Sequence, residues 1–86
     1  MVTISEPLQL VLYSTSACHL CEQALALLQP HLGECLSVQE QDISGSDELF
    51  ERYGVLIPVL RRTDSDAELH WPFDEAALLE FLAKGA

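Results

Sequence analysis

Leu8-Gln9-Leu10-Val11-Leu12-Tyr13-Ser14-Thr15-Ser16-Ala17-Cys18-His19-Leu20-Cys21 carries the chain from an apolar run, through a loop of small residues, to two cysteines spaced as CxxC. The run Leu8–Tyr13 is apolar or β-tolerant and too short for a helix, so it reads as a buried strand. Ser14 to Ala17 form the loop. From Leu20 the apolar residues return at Ala24, Leu27 and Leu28, which is one face of a helix and not an alternating strand. Both cysteines therefore fall at the start of that helix.

Their position suggests thiol–disulfide chemistry. Only a thiolate attacks a disulfide, so a redox cysteine needs a stabilised anion, access, and a second thiol within reach. At the mouth of a helix the Cys18 sulfur faces unpaired backbone N–H groups and the positive end of the macrodipole, and both favour the anion. Cys21, three residues on, shares the same helix face and can displace a mixed disulfide formed at Cys18. Cys18 attacks and Cys21 resolves.

CxxC is also half of many zinc sites, and His31 with Cys35 extends it to C-x2-C-x9-H-x3-C. About two helical turns would hold His31 away from the pair, which works against that reading. A structural cysteine pair, or an iron–sulfur cluster bridged between two copies through Cys18 and an outside thiol, are further readings. No resident metal is assigned. His19 either stabilises the Cys18 thiolate by its charge or lies exposed in the first turn. Cys35 reads as a small semi-buried hydrophobe. Tyr13 and Trp71 read as packing residues at strand ends, and His70 carries no signal.

The 86 residues suit one domain over 1–86 with residues 1–7 as an N-terminal tail. With 49% hydrophobic residues arranged in periods, the chain should fold. Fourteen acidic against four basic residues give a formal net charge of −10. Clustered cations are required to neutralise phosphates, and the only adjacent basic pair is Arg61-Arg62, so nucleic-acid binding is rejected. Met1 to Pro7 lacks a positive n-region and is broken by proline, unlike a signal peptide, and no apolar stretch approaches the ~20 residues of a membrane span. The expectation is a soluble, cytoplasmic monomer. In a reducing compartment a close cysteine pair is more often catalytic or metal-binding than structural.

Further along, Pro30 and Gly33 punctuate before Leu36–Ile43, a partly alternating strand. Strand, helix and strand in that order favour a right-handed crossover with parallel strands. After Ser44-Gly45-Ser46, Ser46 or Asp47 caps a short helix carrying Leu49, Phe50 and Tyr53 inward, with Gly54 as its stop. Val55–Leu60 reads as a strand despite Pro58, which cannot donate a ladder hydrogen bond and needs a special reason. Arg61–Asp66 is turn-like, Ala67–Trp71 is the hairpin partner, and Asp74 caps a last helix with Leu78, Phe81 and Leu82 on one face and Glu75 near its positive end. The order is β-α-β-α-β-β-α, an α/β fold.

A strand, CxxC at a helix start, a second strand and helix, Ile57-Pro58-Val59, a hairpin and a terminal helix together resemble the glutaredoxin branch of the thioredoxin-like superfamily over nearly the whole chain. The resemblance implies a four-stranded mixed sheet flanked by three helices. It also makes Ile57-Pro58 the cis-proline element facing the CxxC, presenting the N–H and carbonyl of Ile57 to an extended thiol substrate. More narrowly, Tyr13 to Glu22 is similar to small bacterial glutaredoxin-like proteins with C-x-L-C in place of Cys-Pro-Tyr-Cys. By resemblance the substrate-contacting residues are Ile57, Pro58, Thr15, Ser16, His19, Leu20 and Asp74, with Asp74 capping a ligand's amine. The lysine before the first cysteine and the Gly-Gly-Asp of glutathione-using members are absent. Thr15 and Ser16 occupy the first place and Trp71-Pro72-Phe73-Asp74 the second, as in thioredoxin-reductase-dependent hydrogen donors. An acidic chain with no cation near the site should bind anionic glutathione weakly.

The resulting expectation is a dithiol oxidoreductase reducing protein or glutathione-mixed disulfides, with no bound cofactor and an external thiol donor, either glutathione or a thioredoxin reductase system. The alternatives are a binding or scaffold module whose acidic surface selects a basic partner, and a metal or cluster protein using Cys18.

Overall fold

The computed structural model describes residues 8–16 and 18–83; the tail assigned to residues 1–7 and loop residue Ala17 lie outside them. The elements are β1 (Leu8–Ser14), α1 (His19–Leu28), β2 (Leu36–Asp42), α2 (Asp47–Tyr53), β3 (Val59–Arg62), β4 (Glu68–His70) and α3 (Glu75–Ala83), with a 3₁₀ turn at Gln29–His31. They form one mixed sheet in the order β2-β1-β3-β4. β1 runs parallel to β2 and antiparallel to β3, and β3 runs antiparallel to β4. The β-α-β-α-β-β-α order expected from the sequence is the order found.

Alternation along β1 sends its side chains to two separate layers. Leu10 and Leu12 join Leu60 of β3 against Ala24 and Leu28 of α1 and Leu78 and Phe81 of α3. Tyr13 points to the other side, where Val59, Ile43 and Tyr53 of α2 form a smaller core. Each fully buried leucine contributes about 2–3 kcal/mol of transfer free energy, so the larger layer supplies most of the hydrophobic stabilisation.

The helices begin where the sequence provides caps. Ser46 accepts the Leu49 N–H at 3.2 Å to start α2, and Asp74 accepts the Ala77 N–H at 2.9 Å to start α3. In α1 the buried line is Cys21, Ala24 and Leu28. Leu20 is 45% exposed, because Cys21 takes the inward place that the apolar pattern assigned to it. Phe50 is likewise not inward but 56% exposed. Leu49 and Tyr53 occupy the sheet-facing side of this short helix, and the Phe50 ring lies against Gly54.

Gly54 ends α2 with helical angles, φ −55° and ψ −33°, so no left-handed turn is involved. Its constraint is space: an added Cβ would run into the Phe50 carbonyl oxygen. Val55–Leu60 is not a strand throughout. The N–H groups of Leu56 and Ile57 both donate to the Tyr53 carbonyl, at 2.8 and 3.0 Å, so the chain keeps turning until Pro58 and pairs only from Val59. The strand then runs through Arg61 and Arg62, which the polar character of the segment had placed in a turn.

Arg62 is a buried cation on the α1 and α3 face. Its Nη1 donates to the Phe81 and Leu82 carbonyls at 2.8 and 3.2 Å, satisfying the C-terminal end of α3, which has no basic residue of its own there. Nε and Nη2 hold Asp64 at 3.0 and 2.8 Å. Arg62→Met is expected to lose about 2–4 kcal/mol in urea unfolding, since the α3 carbonyls lose their partner. Hydrogen bonds from Arg62 keep the Asp64 carboxyl below its ordinary value. Its stabilisation is therefore complete above the unfolded value near pH 4 and lost as pH falls through the lower folded value. Asp64→Asn should flatten that acid limb of the stability curve.

Candidate functional site

β1 leaves the sheet at Ser14, whose carbonyl accepts the Ile43 N–H at 3.0 Å, and the next described turn leads to Cys18. Cys18 is the N-cap of α1, extended at φ −104° and ψ 105°. Its carbonyl receives the first helical bond from the Glu22 N–H at 3.1 Å, and its Sγ accepts the Cys21 N–H at 3.2 Å. The sulfur thus occupies the place of a serine or aspartate cap oxygen. Cys18 and Cys21 are joined as a disulfide with Cα atoms 5.2 Å apart. Their exposures differ: Cys18 is half-buried, whereas Cys21 is 3% exposed. A sulfur held at a helix mouth is favoured as an anion, and Cys18 is the more exposed residue of the pair.

The β1–β3 register pairs Tyr13 with Val59, so one further step sets Pro58 opposite Ser14, at the end of the sheet from which the cysteine loop springs. The Ile57–Pro58 peptide bond is cis, as is Trp71–Pro72. The Trp71 N–H donates to the Pro58 carbonyl at 3.3 Å, bringing that segment beside Pro58. One part of the expectation for Ile57 needs correction. Its N–H is engaged with the Tyr53 carbonyl at 3.0 Å, and only its own carbonyl is left without a backbone hydrogen bond among the described residues.

Of the other residues named from the sequence, three line two separate clefts and two lie on the exposed surface. Thr15 and Ser16 line a cleft of about 230 Å³ with Ser14, Glu40 and Asp42. Asp74 lies in a separate shallow cleft of about 380 Å³ with Pro72, Phe73 and Ala77, its carboxylate already committed to capping α3. His19 is 92% exposed at its side chain and stands 3.8 Å from Glu22, a weak surface pair directed to solvent. Leu20 lies exposed beside it.

Glu40 and Asp42 join the cleft although no local sequence motif marks them. The signal for them was indirect: in-register parallel pairing sets Glu40 opposite Leu12 and Asp42 opposite Ser14, which places both carboxylates beside the loop. The hydroxyl and N–H of Ser44, at 2.7 and 2.8 Å, hold the Asp42 carboxyl below its ordinary value, so it is ionised at neutral pH.

On the α2 side the Tyr13 and Tyr53 rings stack with centroids 4.2 Å apart. Arg61 donates to the Tyr13 hydroxyl at 3.0 Å and to Asp66 at 2.7 Å, and the Tyr53 hydroxyl donates to Glu68 at 2.7 Å. Burial, reinforced by the Glu68 carboxylate, pushes the Tyr53 phenol up. Burial works against the Glu68 charge, but hydrogen bonds from His70 and Tyr53 prevail and hold its carboxyl below its ordinary value. Arg61 and Arg62 are both spent on such internal bonds. His31 pairs with Glu75 of α3 at 3.1 Å, and among the described residues no three metal-ligating side chains gather. Cys35 is exposed, not semi-buried, because it sits in the turn that opens the edge strand β2.

This sheet order with three helices and a CxxC capping the first defines a thioredoxin-like fold. The chain belongs to the family described as Glutaredoxin-like domain (DUF836), which matches residues 9–83. Similar solved structures include target protein XcR50 from X. campestris, with 34% identity, 90% of this chain and 99% of that one covered, and a TM-score of 0.77. Protein Ne2328 from Nitrosomonas europaea shares 33% identity over 94% of this chain and 98% of its own, with a TM-score of 0.69. A malarial protein at 13% identity, covering 90% and 94%, shares the fold alone with a TM-score of 0.66. No curated protein matches the chain. No helix among the described residues is long and apolar enough to cross a membrane.

In the reduced protein at pH 6.5, iodoacetamide should modify Cys18 at least about tenfold faster than the exposed Cys35, since cap amides favour its thiolate. Cys21 should react last. Mass spectrometry of quenched digests reads the order, and faster modification of Cys35 would remove the argument for an activated Cys18.

Proposed function

We propose that the protein is a dithiol thiol–disulfide oxidoreductase. The carrying observation is the Cys18 sulfur in the N-cap position, accepting the Cys21 N–H and bonded to the Cys21 sulfur. In the reduced state the Cys18 thiolate attacks one sulfur of a substrate disulfide, forming a mixed disulfide and expelling the first thiolate. Cys21, deprotonated as it attacks, displaces the substrate's second sulfur from Cys18. The substrate gains two electrons and leaves as two thiols, and the protein is left with the Cys18–Cys21 disulfide. An external thiol donor restores the dithiol.

The half-buried Cys18 over a sheltered Cys21 supports this division of labour, because the attacking sulfur must meet a bulky substrate and the resolving one need not. The Ile57 carbonyl supplies one backbone acceptor for a substrate running beside Pro58. The donor we favour is a thioredoxin reductase system. Glutathione carries net negative charge, and the cations nearest in sequence to Pro58, Arg61 and Arg62, are engaged elsewhere.

Reduction of insulin and of hydroxyethyl disulfide should be followed with each donor system in parallel. Turnover is expected with thioredoxin reductase and NADPH, weaker turnover with glutathione and glutathione reductase, and background rates for Cys18→Ser with either. Activity with neither donor would favour a binding module on the same fold.

A further inference from the structure

The cleft beside the cysteine loop has a chemistry that disulfide exchange does not use. Glu40 and Asp42 enter it from β2, and Ser14, Thr15 and Ser16 from the end of β1. Among the described residues, the Glu40 carboxylate has no ion pair or hydrogen bond, and Asp42 is held only through Oδ1 by Ser44. Ser14 is the second observation. The residue is 7% exposed, yet its hydroxyl has no hydrogen-bond partner. No polar side-chain atom that is fully shielded from solvent lacks a partner among the described residues, so this hydroxyl keeps some solvent access, and Ser14 lines the cleft opposite Asp42 in the parallel register. A nearly buried acceptor left unpaired is suited to an incoming donor.

The donor's charge follows from its neighbours. Two carboxylates on a chain of net charge −10 favour a cation, and among the described residues no three metal-ligating side chains gather to hold a metal ion. Ammonium and guanidinium groups, with several N–H donors each, suit a mixed set of carboxylates and hydroxyls. Position adds the rest. Ser16 stands two residues before Cys18, so their Cα atoms are at most about 7.6 Å apart. The sheet order places β2 on the side of β1 away from β3, and hence away from Pro58. A substrate lying along the Ile57 carbonyl and crossing the disulfide meets this cleft next.

We propose that the cleft receives a lysine or arginine side chain flanking the target cysteine of a protein substrate. The inference rests on the oxidoreductase reading for the nature of that substrate, and it makes the protein selective for disulfides in basic sequence.

Two eight-residue peptides, each glutathionylated at a central cysteine, would test it: one with arginines at the flanking positions, the other with glutamines. At about 20 mM salt the arginine peptide should show roughly tenfold higher kcat/KM, and the ratio should shrink to within about twofold near 0.5 M. In Glu40→Gln the ratio of the two peptides should fall to about threefold or less at low salt. Equal kcat/KM for the two peptides in the unaltered protein would overturn the proposal. A second arm needs no turnover. The same peptides with serine for cysteine are titrated into the oxidised, ¹⁵N-labelled protein, and the arginine peptide alone should shift the amides of Thr15, Ser16, Glu40 and Asp42. Equal shifts from both, or none, overturn the proposal as well. If neither glutathionylated peptide is reduced and insulin is not reduced either, the oxidoreductase reading fails, and the titration still decides the cleft.

Discussion

Strand β1 is paired along both edges, and that double pairing governs where the cysteines come to lie. With β2 parallel on one side and β3 antiparallel on the other, the strand can neither slide nor turn over without breaking two ladders. Its alternate residues are locked into the two cores, Leu10 and Leu12 into one and Tyr13 into the other. The chain is therefore released at Ser14 in one place and one direction. On one side of that release point stands Pro58, on the other the carboxylate end of β2. The short loop then has little choice but to deliver Cys18 to the head of α1.

At that point one amide serves two ends. The Cys21 N–H caps α1 through the Cys18 sulfur, and after reduction a bond of this kind would favour the anionic form of that sulfur. Charged acceptors hold an N–H about twice as strongly as neutral ones. Whatever this amide contributes to the helix, it therefore contributes more when the sulfur is ionised, and helix stability and thiol acidity are coupled through one hydrogen bond. The neighbouring Cys21 is 3% exposed and lies on the same buried line of α1 as Ala24 and Leu28.

The elements that were legible in the sequence are those with a long repeating pattern or a cap. β1, α1 and α3 announce themselves by period, and Ser46 and Asp74 by their place before apolar residues. The element order followed from these. Local pattern failed where tertiary packing chose among equivalent residues. Leu20 and Cys21 both fit an inward face, and the sheet took Cys21. Phe50 yielded to Leu49 and Tyr53 because a seven-residue helix has room for little else. Arg61 and Arg62 read as turn residues because nothing in the chain reveals that the α3 carbonyls and the Tyr13 hydroxyl await them. Of the candidate site, the cysteines were plain from spacing alone. Glu40 and Asp42 were not, since their nearness to the loop depends on a pairing register that only the folded sheet defines.

The link from α2 to Pro58 shows how unevenly this chain can tolerate change. Gly33 and Gly45 face open space, where an added Cβ meets nothing within 4 Å. Gly54 stands against the Phe50 carbonyl, and any side chain there must displace the backbone that carries Val55, Leu56 and Ile57 toward the proline. A sequence drifting under random substitution is thus free at two glycines and pinned at the third. The pin lies on a different element from the sulfurs, yet it governs the path by which the chain comes back toward Pro58.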